Sequence, residues 1–487
     1  MVQNFFRNAV LHLSLNLTVK GGYLFVIERT VQNILPEGDY GLYFSLLGLG
    51  MLLQVVADFG LQLYNSRELA GQRQRLAKYF PYFIGLKMIL GVLFFGLLLV
   101  VGWGLGYRTA ELQLLLLAGG VQFLASLALY LRSNLSGLGK YALDGWFSIM
   151  DKSLMIVVIG GLLLWRPEEL TITRFALAQL GAWFVTAVLL VFVVRDRLPR
   201  KLPKFRRATM RALLKGGAPF ALAVFLATAY TRLDAVMIER LLPDGAAAVD
   251  HYAAGYRLLD AMNMLGWLLA GLLIPMYARG QKLGESPLPL LRFSRPLLVG
   301  GALCAAVPLA AFAGPVTELL YDFADVRTAN VLFFLALTFV AQSLNYAYGS
   351  LLSATGYIGR MNRIYAVGIV LNLGGNWLVL ADYGAAGAAA VTLLTQSFIA
   401  VTQAVLAHRW LALPVRVRWW QTLLLLTFLG TCARALILLE VPWLPGLIGT
   451  GATGLLLCVA LGLIDPRQLK NLGADAGAKE GTKSGEG

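Results

Sequence analysis

Charge is the scarcest thing in this chain. Asp, Glu, Lys and Arg make up only 14% of 487 residues, while 58% are hydrophobic; a soluble globular chain carries about 25% charged residues. That shortage excludes a soluble enzyme and leaves a polytopic membrane protein. Cysteine is nearly absent too. Cys304, Cys432 and Cys458 all fall in apolar segments, which gives neither a disulfide framework nor a metal-ligand spacing, so they read as inert packing residues. His12, His251 and His408 stand far apart. No GxxxxGK[ST], GxSxG, HExxH or CxxC occurs, which removes on-chain ATP hydrolysis, serine and zinc hydrolysis and dithiol chemistry. The expectation is no enzyme, no cofactor and no metal. Met1 to Arg7 lacks the pattern of a cleaved signal, so the first span is expected to stay as an anchor.

What the chain has in abundance is long apolar runs. Fourteen segments stand out: 8–34, 40–63, 80–103, 112–131, 145–165, 173–194, 214–239, 252–276, 296–316, 328–350, 362–381, 385–407, 419–439 and 443–464. Each is long enough to cross a bilayer, which takes about 20 helical residues. With Arg174, Lys215 and Arg363, each one residue inside a span end, counted with the adjoining loop, 29 of the 41 Lys and Arg fall in one alternating set of tails and loops, 5 in the other and 7 within spans. This is the positive-inside bias, with both termini cytoplasmic. The net charge of +15 is therefore a topology signal, and no nucleic-acid partner is expected.

The most informative stretch is the hairpin Pro219–Arg279. Its arms carry Arg232, Asp234, Glu239, Arg257 and Asp260 at or towards membrane depth, where each ionisable group costs about 2.5–3.5 kcal/mol on insertion scales. Tyr252, Tyr256, Asp260, Asn263 and Trp267 recur at helical spacing and form one polar, aromatic stripe. Such a stripe suits the lining of an aqueous path. Span 1 adds Asn16, Lys20 and Tyr23, with no acid three or four residues from Lys20; span 2 adds Gln54, Asp58 and Gln62. Lys87 and Lys152 lie about two turns from the cytoplasmic end and read as snorkelling to the interface. Spans 10 and 11 add Asn345, Asn372 and Asn376.

The chain also repeats itself. Ile27-Glu28-Arg29 followed by Leu35-Pro36-Glu37-Gly38 returns as Ile238-Glu239-Arg240 followed by Leu242-Pro243-Asp244-Gly245, and Tyr40 is echoed by Tyr252. The offset is six spans, so the copies run parallel. The expected architecture is all-α: about 14 transmembrane helices, two parallel six-helix lobes around a central cavity, plus two C-terminal helices. The divisions are 1–194 (N-lobe), 195–215 (basic cytoplasmic linker), 216–410 (C-lobe), 411–464 (helices 13–14) and 465–487 (polar, disordered tail).

Several segments resemble a known family. Asp58-Phe59-Gly60-Leu61 with Arg67-Glu68-Leu69-Ala70 looks like the end of helix 2 in polysaccharide flippases of the multidrug/oligosaccharidyl-lipid/polysaccharide superfamily. Arg232-Leu233-Asp234, Tyr252-Ala253-Ala254-Gly255-Tyr256-Arg257 and Pro275-Met276-Tyr277-Ala278-Arg279 are similar to its helix 7–8 region. Ala354-Thr355-Gly356, Asn372, Asn376 and Gly384-Ala385-Ala386-Gly387-Ala388-Ala389 complete the likeness, which covers most of 5–410. The resemblance implies flipping of undecaprenyl-diphosphate-linked oligosaccharide to the outer leaflet of a bacterial or archaeal plasma membrane. The product would feed O-antigen, capsule, exopolysaccharide or teichoic-acid synthesis. Glycosyltransferases and a polysaccharide polymerase are the implied functional partners, membrane lipids the surroundings, and Na+ or H+ the coupling ion. A diphosphate needs fixed cations, for which Lys20, Arg232 and Arg257 are the candidates. Sugar needs hydroxyl, amide and aromatic groups, here Tyr23, Tyr252, Tyr256, Asn263, Trp267, Asn345, Asn372 and Asn376. Asp58, Asp234 and Asp260 are the ion-coupling candidates. The alternatives are a cation-coupled multidrug exporter of the same superfamily, and a membrane polymerase or ligase of lipid-linked glycans.

Overall fold

The computed structural model describes residues 14–68, 73–137, 140–194, 206–413 and 419–463. Residues 195–205 of the basic linker and all of the tail 465–487 lie outside them. Every regular element among the described residues is helical, and twelve helices are long and apolar enough to cross a membrane. The chain is an all-α, multi-pass membrane protein.

The expected fourteen spans and the twelve helices found among the described residues differ for two reasons, and of the first expected span, 8–34, only the part from residue 14 is described. The first helix, α1 (14–34), turns π-helical over Tyr23–Glu28, directly after Gly21-Gly22, so it is not one continuous α-helix. The other reason lies near the end of the chain, where two expected spans run together in Ile358–Trp410, α14. At about 1.5 Å per residue its 53 residues would reach about 80 Å, far beyond a bilayer core of about 30 Å. It breaks at Gly384 (φ 55°, ψ −144°), in a region open only to glycine. A Cβ on Gly387 would lie 2.8 Å from that of Tyr383, so the chain approaches itself closely just past the break.

By its contacts the chain divides into two compact units. The first comprises Leu15–Ala253 and Tyr365–Ala388. It contains α1, α2 (Asp39–Asp58), α3 (Leu61–Glu68), α4 (Arg73–Gly104), α5 (Thr109–Gly137), α6 (Tyr141–Phe147), α7 (Met150–Trp165), α8 (Ile172–Val194), α9 (Arg207–Leu241) and the opening of α10 (Gly245–Lys282). Apolar residues gain little from leaving lipid, so small residues and polar ties must hold such helices together. Both are present. Gly48 of α2 faces the Arg232 carbonyl, where a Cβ would lie 3.2 Å from the oxygen. Gly60 (φ 67°) faces Ala221, leaving 2.6 Å from a Cβ to its nitrogen. Numbers rise along α2 as they fall along α9, so the two run antiparallel in close contact. Beyond α9, Gly38 N donates to Asp250 Oδ2 at 2.5 Å, and a Cβ on Gly41 would collide with the Ala246 carbonyl.

The second unit, over its described residues, comprises Ala254–Ile364 and 389–463. It holds α11 (Leu288–Ala311), α12 (Ala313–Leu320), α13 (Val326–Ala354), α15 (Trp419–Leu438), α16 (Trp443–Ala460) and the remaining parts of α10 and α14. Asp325 caps α13 by accepting from Thr328 N at 3.1 Å, and the Thr328 hydroxyl accepts from Asp325 N at 3.3 Å. This is a reciprocal capping box. Leu258, Ala310, Ala313, Val316, Leu332 and Ala336 form a buried apolar cluster. Two cysteines that look scattered in the sequence meet here: Cys304 Sγ and Cys458 Sγ are 3.6 Å apart, as free thiols.

Candidate functional site

Lys20 lies in the first unit among four charged groups supplied by other helices: Asp151, Arg132, Lys152 and Asp144. Arg132 Nε of α5 bonds Asp144 Oδ1 of α6 at 2.8 Å. Lys152 Nζ of α7 is 3.5 Å from Asp151 Oδ2 and 4.3 Å from the centre of the Tyr23 ring. Asn16 Nδ2 donates to Ser148 Oγ at 2.8 Å, tying α1 to the α6–α7 corner. Three cations thus share two carboxylates, and Lys20 makes no ion pair among the described residues. The surplus positive charge is what an anionic head group requires. Sequence spacing along α1 could not reveal Arg132, Asp144 or Asp151, which come from other helices. The signal that existed was Asp151-Lys152, two charges inside an apolar run.

Lys87 corrects an expectation. It does not snorkel: it is 1% exposed, and Nζ bonds Asp58 Oδ1 at 2.7 Å, Ser126 Oγ at 2.7 Å and Ser126 O at 3.4 Å. The ammonium finds its acceptors on α2 and α5. Asp58, a candidate for ion coupling, is the anion of this pair.

A second constellation in the same unit gathers residues from three helices. Asp234 is fully buried, accepting from Tyr252 OH at 2.9 Å and from Asn376 Nδ2 at 2.7 Å. Asn376 Nδ2 also reaches Asn372 Oδ1 at 3.4 Å. Asn372 Nδ2 and Asn376 Oδ1 have no hydrogen-bond partner among the described residues, a condition that buried amides normally relieve with water or an ion. Tyr40 mirrors Tyr252: its hydroxyl donates to Glu28 Oε1 at 2.6 Å.

The remaining candidates divide between the units. Arg232 belongs to the first and is half-buried. In the second, Arg257 NH1 lies 3.5 Å from Asp260 Oδ2, three residues on. Asn263 Oδ1 accepts from Tyr346 OH at 3.1 Å, and Asn345 is half-buried. The stripe along α10 changes character as it goes: Tyr252 and Tyr256 are buried, Asp260 and Asn263 half-buried, and Trp267 is 72% exposed.

A polar knot that sequence reasoning missed joins the α4–α5 corner to the end of α9. Tyr107 OH donates to Glu239 Oε2 at 2.8 Å, Arg240 Nε donates to the same oxygen at 2.8 Å, and the Arg240 guanidinium sits 3.5 Å from the centre of the Tyr107 ring. Among the described residues no three His, Cys, Asp or Glu converge as a metal site would need.

Solved structures share this arrangement of membrane-spanning helices. Lipid II flippase MurJ in an inward closed conformation matches with a TM-score of 0.66 at 13% identity, covering 94% of this chain and 99% of that one. A mutant of the MATE transporter VcmN of Vibrio cholerae matches at 0.59 and 16% identity, covering 85% and 98%. A MOP superfamily transporter from Pyrococcus furiosus matches at 0.59 and 14%, covering 83% and 95%. No curated sequence matches significantly. The family model described as "Polysaccharide biosynthesis protein" matches residues 5–281, more than half the chain. The chain belongs to that family, and its fold is the one shared by these solved transporters and flippases.

Proposed function

We propose that this protein flips a polyprenyl-diphosphate-linked oligosaccharide from the cytoplasmic to the outer leaflet for envelope polysaccharide synthesis. The observation that carries the reading is the surplus cation of the Lys20–Arg132–Lys152 group, within a chain of the polysaccharide biosynthesis family. A diphosphate binds such a group by charge-assisted hydrogen bonds, stronger than neutral ones. Arg232 and Arg257 are proposed to assist, and Tyr23, Tyr256, Asn263, Asn345 and Trp267 to meet sugar, while Tyr252, Asn372 and Asn376 pass to the Asp234 group. Lobes 1–194 and 216–410, joined by the cytoplasmic linker 195–215, would alternate access, with both termini cytoplasmic. The Asp234–Asn376–Asn372 group is the proposed seat of Na+ or H+ coupling, ahead of Asp58, which is held by Lys87. Lys20→Ala and Arg132→Ala should each abolish surface glycan while the protein stays in the membrane, and Lys20→Arg should keep part of the activity. Normal glycan from the double alanine variant refutes the reading.

The second reading, a cation-coupled drug exporter, draws on the likeness to MATE transporters. Dye efflux that depends on Asp234 and ignores Lys20 would favour it.

A further inference from the structure

Two arginines stand one turn apart where α11 begins. Arg292 is exposed, whereas Arg295 is only 7% exposed. Neither forms an ion pair or a hydrogen bond with any described residue; the Arg295 guanidinium lies over the ring of Trp419, 4.9 Å from its centre. Tyr348 faces it too, but that hydroxyl is engaged with His408 Nε2 at 3.2 Å. A buried guanidinium with no anion among the described residues bears the desolvation cost of an ion with no Coulombic return from them.

The surroundings say what kind of anion would fit. Successive spans alternate in direction, so the end of α10, the start of α11, the ends of α13 and α14 and the start of α15 share one membrane face. At that face Trp419 and Trp420 open α15, 39% and 58% exposed. Exposed tryptophans at a helix end mark the head-group level of a bilayer. Gln421 Nε2 donates to Leu461 O at 2.9 Å and so fixes this end of α15 to the end of α16. Further along α15, Leu423, Leu424 and Leu426 are exposed, an apolar track suited to acyl chain.

We infer that Arg295, with Arg292 and Trp419, binds the phosphodiester of an anionic phospholipid, whose tail lies along α15 and which secures the C-terminal helix pair to α11. The planar guanidinium presents paired N–H groups to phosphate oxygens. The site lies wholly within the second unit and depends on no reading of the transported substrate.

The test uses full-length protein in detergent, stripped of lipid, with native mass spectrometry and thermal melting in parallel. Phosphatidylglycerol should be retained and should raise the melting temperature of the wild type, while phosphatidylcholine should do neither. Arg295→Gln should melt like the wild type without lipid, bind phosphatidylglycerol about tenfold more weakly or worse, and lose the stabilisation; Arg295→Lys should fall between. Arg292→Gln, at an exposed position, gives a second reading in the same direction if Arg295→Gln does not accumulate. Unchanged retention and shift in both Gln variants overturns the site. A lower melting point of Arg295→Gln with an undiminished lipid shift makes the arginine structural, and overturns it as well. Full stabilisation by inorganic phosphate alone overturns the lipid assignment in favour of a soluble anion.

Discussion

Replacing Lys87 by Met tests the buried charge network most directly. The side chain is 1% exposed and its ammonium holds Asp58 and two oxygens of Ser126. Methionine fills the space but leaves the Asp58 carboxylate without its cation. Removing one partner of a buried pair costs about 3–5 kcal/mol; because the Asp58 side chain is 19% exposed, water offsets part of that, and the lower end, about 3 kcal/mol, is the expectation. Asp58→Asn should cost less, since the ammonium keeps both Ser126 oxygens. In the Asp58→Asn background Lys87→Met should cost only about 1 kcal/mol, because no stranded charge remains. The measurement is a double-mutant cycle on thermal melting of the purified protein. Equal losses in the two backgrounds would mean that the pair is not coupled, and would return Lys87 to the role of a snorkelling side chain.

Other predictions follow from single contacts. Gly41→Ala drives a methyl into the Ala246 carbonyl, and should lower stability by about 1–3 kcal/mol; a variant melting like the wild type would deny the close approach of α2 to α10. Asp250→Asn keeps an acceptor for Gly38 N but removes the negative charge at the start of α2, a loss of about 1 kcal/mol that rising salt should reduce. Asn376→Leu deprives Asp234 of a donor and should cost about 1.5–3 kcal/mol, with ion-linked transport as the second readout. Burial, then the charge of Glu239, push the Tyr107 hydroxyl up from 10.0 to about 12. Between those values the unfolded chain ionises and the folded one does not, so stability should fall as pH rises through that window, and Tyr107→Phe should flatten the fall. For topology, external thiol reagents should label cysteines placed at exposed Glu37 and Asp244 and miss one at Ala208; the reverse pattern inverts the orientation.

The spans themselves were legible from the residues alone. A bilayer demands about 20 apolar residues per crossing whatever surrounds them, so hydropathy located both the helices and the break at Gly384, which only a positive φ reveals as a break rather than a bend. The repeat of Leu35-Pro36-Glu37-Gly38 in Leu242-Pro243-Asp244-Gly245 likewise needed nothing beyond the letters. Partnership was another matter. Lys20 and Glu28 have no opposite charge three or four residues away on their own helix, which points to partners elsewhere, but where they went depended on packing. Glu28 met Tyr40 past a π-helical turn that shifts the face of α1. Lys20 met charges from α5, α6 and α7, Lys87 met Asp58, and Asp234 met an asparagine 142 residues away. Helical periodicity reports which residues share a face of one helix, and carries no record of which other helix that face will meet. That is decided only when glycines such as Gly41, Gly48 and Gly60 let particular backbones close on one another, because in lipid it is close packing and polar contact, more than apolar burial, that distinguish one helix neighbour from another.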